Sequence, residues 1–202
     1  MKLNFIEFAL MNNPLREFIQ ARYELPILQK MTSIKNPVNV LEIGCGSGYG
    51  TSLIQKIFNP QHITAIDLDE KMIEKAVKRD LKNVSFKVMD ASKLNFKDNQ
   101  FDAVFDFGII HHIPNWKDCI GELKRVLKNN GEIILEDLSI DTFNTLPGRF
   151  FKAICEHPYD AMYTQDEFIS YLAVSGFKLL NFKEYYPLKT FKHFSLNAIL
   201  GK

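Results

Sequence analysis

Cysteine is scarce and scattered. Cys45, Cys119 and Cys155 are an odd set with no Cys-x-x-Cys pair among them. That argues against a disulfide framework and a structural zinc site, leaves no metal centre to expect, and fits a reducing cytoplasm. Long apolar runs are missing as well. No stretch approaches the ~18 residues a membrane-spanning helix needs, so no integral membrane association is expected. Glu7 interrupts the apolar N-terminal stretch and no small-residue cleavage site follows it, which makes a poor signal peptide. Charge of one sign is also lacking: 25 Lys and Arg against 24 Asp and Glu leave a net +1. A domain that grips nucleic acid usually presents a basic face, so no nucleic-acid partner is expected. Internal repeats and low-complexity tracts are absent too.

What is present is an ordinary globular composition, 202 residues with 46% hydrophobic and 24% charged. That length fits one domain with a small cap. Residues 1–36 read as the cap, two amphipathic helices: Leu3, Phe5, Ile6, Leu10 and Met11 precede Pro14, and Leu15, Phe18, Ile19, Tyr23, Leu28 and Met31 follow it. Asn36-Pro37 marks the boundary, because the residue before proline is pushed out of helical geometry. Strands and helices then alternate through residues 37–202. The pattern predicts strands at 38–43, 62–67, 84–89, 101–107 and 131–137, with helices at about 50–58, 69–80 and 115–128. Asn129-Asn130-Gly131 reads as a helix stop followed by a turn. Such alternation implies an α/β fold of parallel βαβ units with helices on both faces. Residues 139–163 show no clear element. A helix from Thr164 to Ser175, with a capping box of Thr164 and Glu167, and a hairpin of 176–185 with 192–200 close the chain.

The densest signal is Val38 to Gly50, an apolar run ending in Glu42 and then Gly44, Gly46, Gly48 and Gly50. Strand, glycine turn and helix make the architecture of a nucleotide site. Glu42 changes the ligand. A carboxylate there repels pyrophosphate and suits a ligand with an amine and a hydroxylated sugar. The second strand ends in Asp67, about 20 residues on, the spacing for a carboxylate on ribose hydroxyls. The third ends in Asp90. In an open parallel sheet, ligands bind at the carboxyl ends of strands, so Glu42, Asp67 and Asp90 line one edge.

These motifs resemble the S-adenosylmethionine-dependent methyltransferases of the class I, Rossmann-like kind, in particular the small-molecule "type 11" methyltransferase-domain family. Glu42-Ile43-Gly44-Cys45-Gly46-Ser47-Gly48 is similar to its first motif and Asp67-Leu68-Asp69 with Met72 to its second. Met89-Asp90-Ala91 is similar to its third, and Phe101–Phe105 running into His111-His112-Ile113-Pro114 to its fourth strand. The resemblance implies a doubly wound, seven-stranded, mostly parallel sheet with its last strand antiparallel. It also implies S-adenosyl-L-methionine as cofactor and S-adenosyl-L-homocysteine as product. Asp67 would then take the ribose, Leu68 and Met72 wall the adenine, and Asp90 and Ala91 contact the adenine edge. Phe107 and Gly108 would receive the methionine amine through backbone oxygen. Cys45, Tyr49 and His112 complete the expected cofactor set.

Catalysis falls to His111 and Asp137 as expected neighbours, the acid orienting an imidazole that serves as base. The same His-His pair also reads as packing and capping, and Asp137 as a strand-end cap. Tyr49 either covers the sulfonium or is an exposed aromatic at a helix start. Aromatics fill the cap (Phe5, Phe8, Phe18, Tyr23) and the insert at 139–175 (Phe143, Phe150, Phe151, Tyr159, Tyr163). They either pack the cap or shape a pocket for an apolar or aromatic small-molecule acceptor methylated at oxygen or carbon. Arg16 or Tyr23 is a candidate to close over the cofactor carboxylate. The exposed cap serves a pocket or a homodimer interface equally well. Two other readings stand: a catalytically silent nucleoside-binding module, and a nicotinamide oxidoreductase. Glu42, Tyr49 and the lack of a Tyr-x-x-x-Lys pair argue against the latter.

Overall fold

A computed structural model of the protein describes residues 13–153, 155–189 and 191–201. Five βα-type strands form the parallel part of one sheet: β1 (Asn39–Ile43), β2 (His62–Asp67), β3 (Val84–Val88), β4 (Phe101–Phe107) and β5 (Leu127–Asp137). Two more, β6 (Phe177–Tyr185) and β7 (His193–Leu200), close it, β7 running antiparallel to both β5 and β6. The seven strands lie in the order β3-β2-β1-β4-β5-β7-β6. The order reverses between β1 and β4, and a ligand crevice opens at such a switch point.

Alternation along β1 builds both halves of the core. Leu41 and Ile43 pack on one face with Ile66, Trp116, Ile120 and Leu123, while Val40 packs on the other with Ile54, Phe58 and Phe105. The cap adds Leu25 and Leu28 to that second face. Among the described residues it comprises α1 (Pro14–Ile19), a π-helical turn (Gln20–Glu24) and α2 (Leu25–Met31), one run with a wide turn at its centre. Leu15 and Phe18, expected on its apolar stripe, are exposed. The first expected cap helix, before Pro14, lies outside the described residues.

The remaining α-helices among the described residues are α3 (Tyr49–Phe58), α4 (Glu70–Val77), α5 (Trp116–Val126), α6 (Ile140–Phe143), α7 (Leu146–Lys152) and α8 (Gln165–Val174). Three expectations need correction. Residues 139–163, read as lacking structure, hold α6 and α7; helices of 4 and 7 residues are too short to show a period. The segment expected as a turn at Asn129–Gly131 belongs to β5, where the register against β4 shifts between Phe101 and Ala103 and Asn130 takes a left-handed φ of 64°. Helix α4 stops at Val77, three residues early, with Asp80 and Asn83 at positive φ leading into β3.

Candidate active site

The turn from β1 to α3 forms the floor of a cleft of about 200 Å³. Two of its glycines answer different needs. Gly44 has φ +62° and an added Cβ would fall 2.4 Å from Ile109, so packing excludes any side chain. Gly46, at φ +52°, would meet nothing within 4 Å, because the space above it is the cleft itself. A ligand can therefore lie directly on this backbone.

Glu42 lies beneath the turn. Its carboxylate accepts the Thr51 hydroxyl, and a Cβ on Gly50 would sit 2.6 Å from its Oε1. Burial pushes its pKa up to about 8, only partly offset by Thr51. At neutral pH the group is thus mostly protonated. Glu42 braces the turn through Thr51 and also lines the cleft.

Asp67 braces the same turn from β2. Its Oδ2 accepts Gly46 N–H at 2.8 Å and its Oδ1 accepts Asp69 N–H at 2.9 Å. Asp90 takes Ser92 N–H and Oγ–H on Oδ1, leaving Oδ2 uncommitted among the described residues. Leu68, Met72, Met89 and Ala91 provide an apolar wall, and Cys45, Tyr49, Phe107 and His112 complete the lining already expected. The Arg79 guanidinium stands 5.3 Å over the Tyr49 ring. Arg79 also donates to Ser47 O at 2.6 Å and pairs with Glu17 at 2.7 Å, latching α1 onto the glycine turn.

The sequence reading missed Gln20, Ile109, Ile113, Pro114 and Asn115, all in the lining. Four of them lie within three residues of the His-His pair, a proximity that was available as a signal; Gln20 comes from the π-helical turn and left none. Of the two candidates to close the cleft, Arg16 lines it and Tyr23 does not. Arg16 donates to Phe107 O at 3.1 Å, the carbonyl expected to receive an amine, and pairs with the buried Glu24.

A second cavity, about 420 Å³, adjoins the first. Arg16, Gly108 and His112 line both, so the two spaces meet there. Its walls include Leu15, Ile19, Leu138, Phe143, Phe151 and Phe191. Phe150 is 67% exposed and contributes nothing to it. His111 lies on this cavity, in the 3-10 turn Ile110–His112 that follows β4. Its Nδ1 is bonded to Asp137 Oδ1 at the end of β5. Asp137 is buried beneath three more donors: His111 N at 3.2 Å, Leu138 N at 2.7 Å and Tyr163 Oη at 2.6 Å. Tyr163, assigned to the aromatic insert, therefore positions this carboxylate.

Burial, then the neighbouring His157, holds the His111 imidazole well below its ordinary pKa. A neutral ring donating from Nδ1 to Asp137 carries its lone pair on Nε2, the tautomer a base requires. Burial lowers His112 in the same way. His111, His112 and His157 cluster: His111 stacks on His157 at 5.3 Å between centroids, and His112 packs tilted against both, at 4.1 and 4.3 Å.

Comparison with known proteins agrees with this geometry. A family model described as a methyltransferase domain matches residues 34–186. The malonyl-[acyl-carrier protein] O-methyltransferase of Bacillus cereus is 30% identical over 130 residues, covering 64% of this chain and 48% of its own. The demethylmenaquinone methyltransferase of Listeria monocytogenes is 32% identical over 116 residues, covering 54% of this chain and 48% of its own. The chain thus spans about half the length of the curated relatives it matches. Among solved structures, an S-adenosylmethionine-dependent methyltransferase from Aquifex aeolicus superposes with a TM-score of 0.75 at 20% identity, over 98% of this chain and 100% of that one. A Haemonchus contortus phosphoethanolamine N-methyltransferase bound to S-adenosylhomocysteine superposes with a TM-score of 0.72 at 18% identity, over 89% of this chain and 52% of that one. Glycine floor, strand-end acids and family match agree: the chain belongs to the class I, Rossmann-like S-adenosylmethionine-dependent methyltransferases.

Proposed function

We propose that this protein moves a methyl group from S-adenosylmethionine to a small apolar or aromatic acceptor, at oxygen or carbon, with His111 as base. The observation that carries the reading is the meeting of the two spaces at Arg16, Gly108 and His112. The cleft on the glycine turn, edged by Asp67 and Asp90, adjoins a more apolar cavity there, with an imidazole–carboxylate pair on the cavity side.

The donor set suits the cofactor. Gly46 leaves open space for a ligand backbone-on, Asp90 Oδ2 remains uncommitted for the adenine edge, and Leu68 and Met72 wall the base. Asp67 spends both oxygens on Gly46 and Asp69 and keeps further lone pairs for ribose hydroxyls. When bound, the cofactor supplies an activated methyl carbon. The protein's own contribution is largely positioning. His111 Nε2 takes the acceptor's proton, and Asp137 stabilises the imidazolium that results.

The cap (1–36) and the insert (139–175) shape the acceptor cavity in this reading, through Leu15 and Ile19 on one side and Phe143 and Phe151 on the other. Of the relatives' names, demethylmenaquinone fits an apolar, aromatic acceptor, while the malonyl-carrier enzyme supports only methylation at oxygen. No described helix is long and apolar enough to cross a membrane; a cytoplasmic enzyme is the corresponding proposal. The test is transfer of a labelled methyl from S-adenosylmethionine into small-molecule fractions of a cell extract. A labelled apolar product supports the reading. Label confined to protein or nucleic acid, or no transfer at all, contradicts it.

A further inference from the structure

The larger cavity holds a second imidazole–carboxylate pair that the transfer step does not use. His193 opens β7, and its Nδ1 is bonded to Glu136. Glu136 and Asp137 are consecutive at the end of β5, so they point to opposite sides of the sheet. The cavity wraps that strand end, and both pairs line it through His111, His193 and Glu136.

The cap completes the second pair. Arg16 holds Glu24 there, and the ligand atoms of Glu24, Glu136 and His193 all lie within 4.8 Å of one another. Glu24 is fully buried, and its Oε2 has no hydrogen-bond partner among the described residues. Buried polar atoms in native proteins are ordinarily paired, so this oxygen calls for a donor. A metal ion is an unsuitable answer, because the Arg16 guanidinium already stands against Glu24 as the local cation. The demand is for a neutral group that both donates and accepts. A hydroxyl does both: it donates to Glu24 Oε2 and accepts from the second ring nitrogen of His193. Glu136 favours that donor form, raising the His193 pKa against the effect of burial. A carbonyl would leave Glu24 unsatisfied.

We propose that His193, Glu136, Glu24 and Arg16 form a subsite for a second hydroxyl of the acceptor, remote from the one activated beside His111. The acceptor is then a dihydroxy compound with an apolar body, held between this polar end and the His111 side. The inference rests on assigning the larger cavity to the acceptor.

The test is anaerobic calorimetric titration of the protein saturated with S-adenosylhomocysteine. The probes are 1-naphthol, a set of dihydroxynaphthalene isomers, and the corresponding methoxynaphthols, which accept at the second position but cannot donate. At least one dihydroxy isomer should bind tenfold or more tightly than 1-naphthol, with its methoxy analogue losing most of that advantage. In His193→Gln the advantage should fall to threefold or less while S-adenosylhomocysteine affinity is retained. His111→Gln should leave it intact, which separates this subsite from the base assignment. Equal binding of naphthol and diols, or an advantage that survives His193→Gln, overturns the subsite alone. Binding of none of the probes beside normal S-adenosylhomocysteine binding overturns it together with the cavity assignment. The wild-type comparison with methoxynaphthols decides the matter if His193→Gln fails to fold.

Discussion

His111 Nδ1 and Asp137 Oδ1 are bonded to each other across the ends of adjacent parallel strands, with 4% and 0% of their side chains exposed. The strand register dictates this meeting. Phe107 pairs with Glu136, and the chain beyond each lifts one histidine and one acid to the same edge. Four donors fix Asp137, so the imidazole is held in one orientation rather than merely nearby.

If His111 is the base, His111→Ala lowers kcat by roughly 10²- to 10⁴-fold, the usual contribution of a positioned base. S-adenosylhomocysteine affinity should stay within about twofold on the order of experimental error, because a base acts on the acceptor's proton and not on cofactor binding. Single-turnover kinetics with the acceptor from the labelling experiment give the first figure, and calorimetry the second. An unchanged rate refutes the assignment.

The pH profile follows from the shifts of His111 and Asp137. Its pKa lies well below the ordinary value of 6.5 through burial and the nearby His157, with His193 and Arg16 acting in the same sense against Glu136. The base form of the imidazole therefore persists as pH falls past 6.5, and the group that sets the acid limb is Asp137, whose carboxyl burial pushes up to about 7 against the Tyr163 hydroxyl and two backbone N–H donors. The rate should fall along an acid limb centred near that value; a profile with no acid limb there would show an Asp137 that stays ionised or takes no part.

Glu42 yields a stability prediction of defined sign. Its folded pKa, about 8, exceeds the ordinary value of 4.5, so the folded chain holds an extra proton between those limits. The stability this confers is present below the lower value and lost as pH rises through the upper one. Glu42→Gln removes that loss. Thermal melts should find the variant and wild type closest near pH 5, the variant gaining on the order of a few kcal/mol by pH 9. A difference that does not widen with pH contradicts a buried, protonated Glu42.

Gly44 and Gly46 should separate folding from binding. An alanine Cβ at Gly44 would press on Ile109 from 2.4 Å, and such overpacking costs roughly 1–3 kcal/mol, with the positive φ adding to it. Gly46→Ala meets no neighbour within 4 Å, so its stability cost comes from φ alone while its methyl enters the cleft. Melting temperatures should therefore fall further for Gly44→Ala, and S-adenosylhomocysteine affinity further for Gly46→Ala relative to its small stability loss. The reverse order would mean that the cofactor does not lie on Gly46.

The parallel strands were legible because each is a short apolar run closed by turn chemistry. Val40 to Ile43 and Ile63 to Ile66 are buried almost end to end. The strand-end acids were legible from spacing. The chemical state of Glu42 was not, since it depends on Thr51 folding back over it and on Gly50 lacking a side chain. The contribution of the cap was equally hidden: Arg16 reaches Phe107 across 91 residues of chain, and nothing local to Arg16 announces it. Residues 139–163 escaped because α6 and α7 are shorter than the span over which helical periodicity emerges. Tyr163 was visible as an aromatic but not as the donor to Asp137, a partner 26 residues away.

The most direct test of the account is calorimetric titration of the purified protein with S-adenosylhomocysteine and, separately, with NAD. S-adenosylhomocysteine should bind one to one, with Asp67→Ala weakening it by about tenfold or more through loss of a charged hydrogen-bonding group, and NAD should not bind. Tight NAD binding without S-adenosylhomocysteine binding would contradict it.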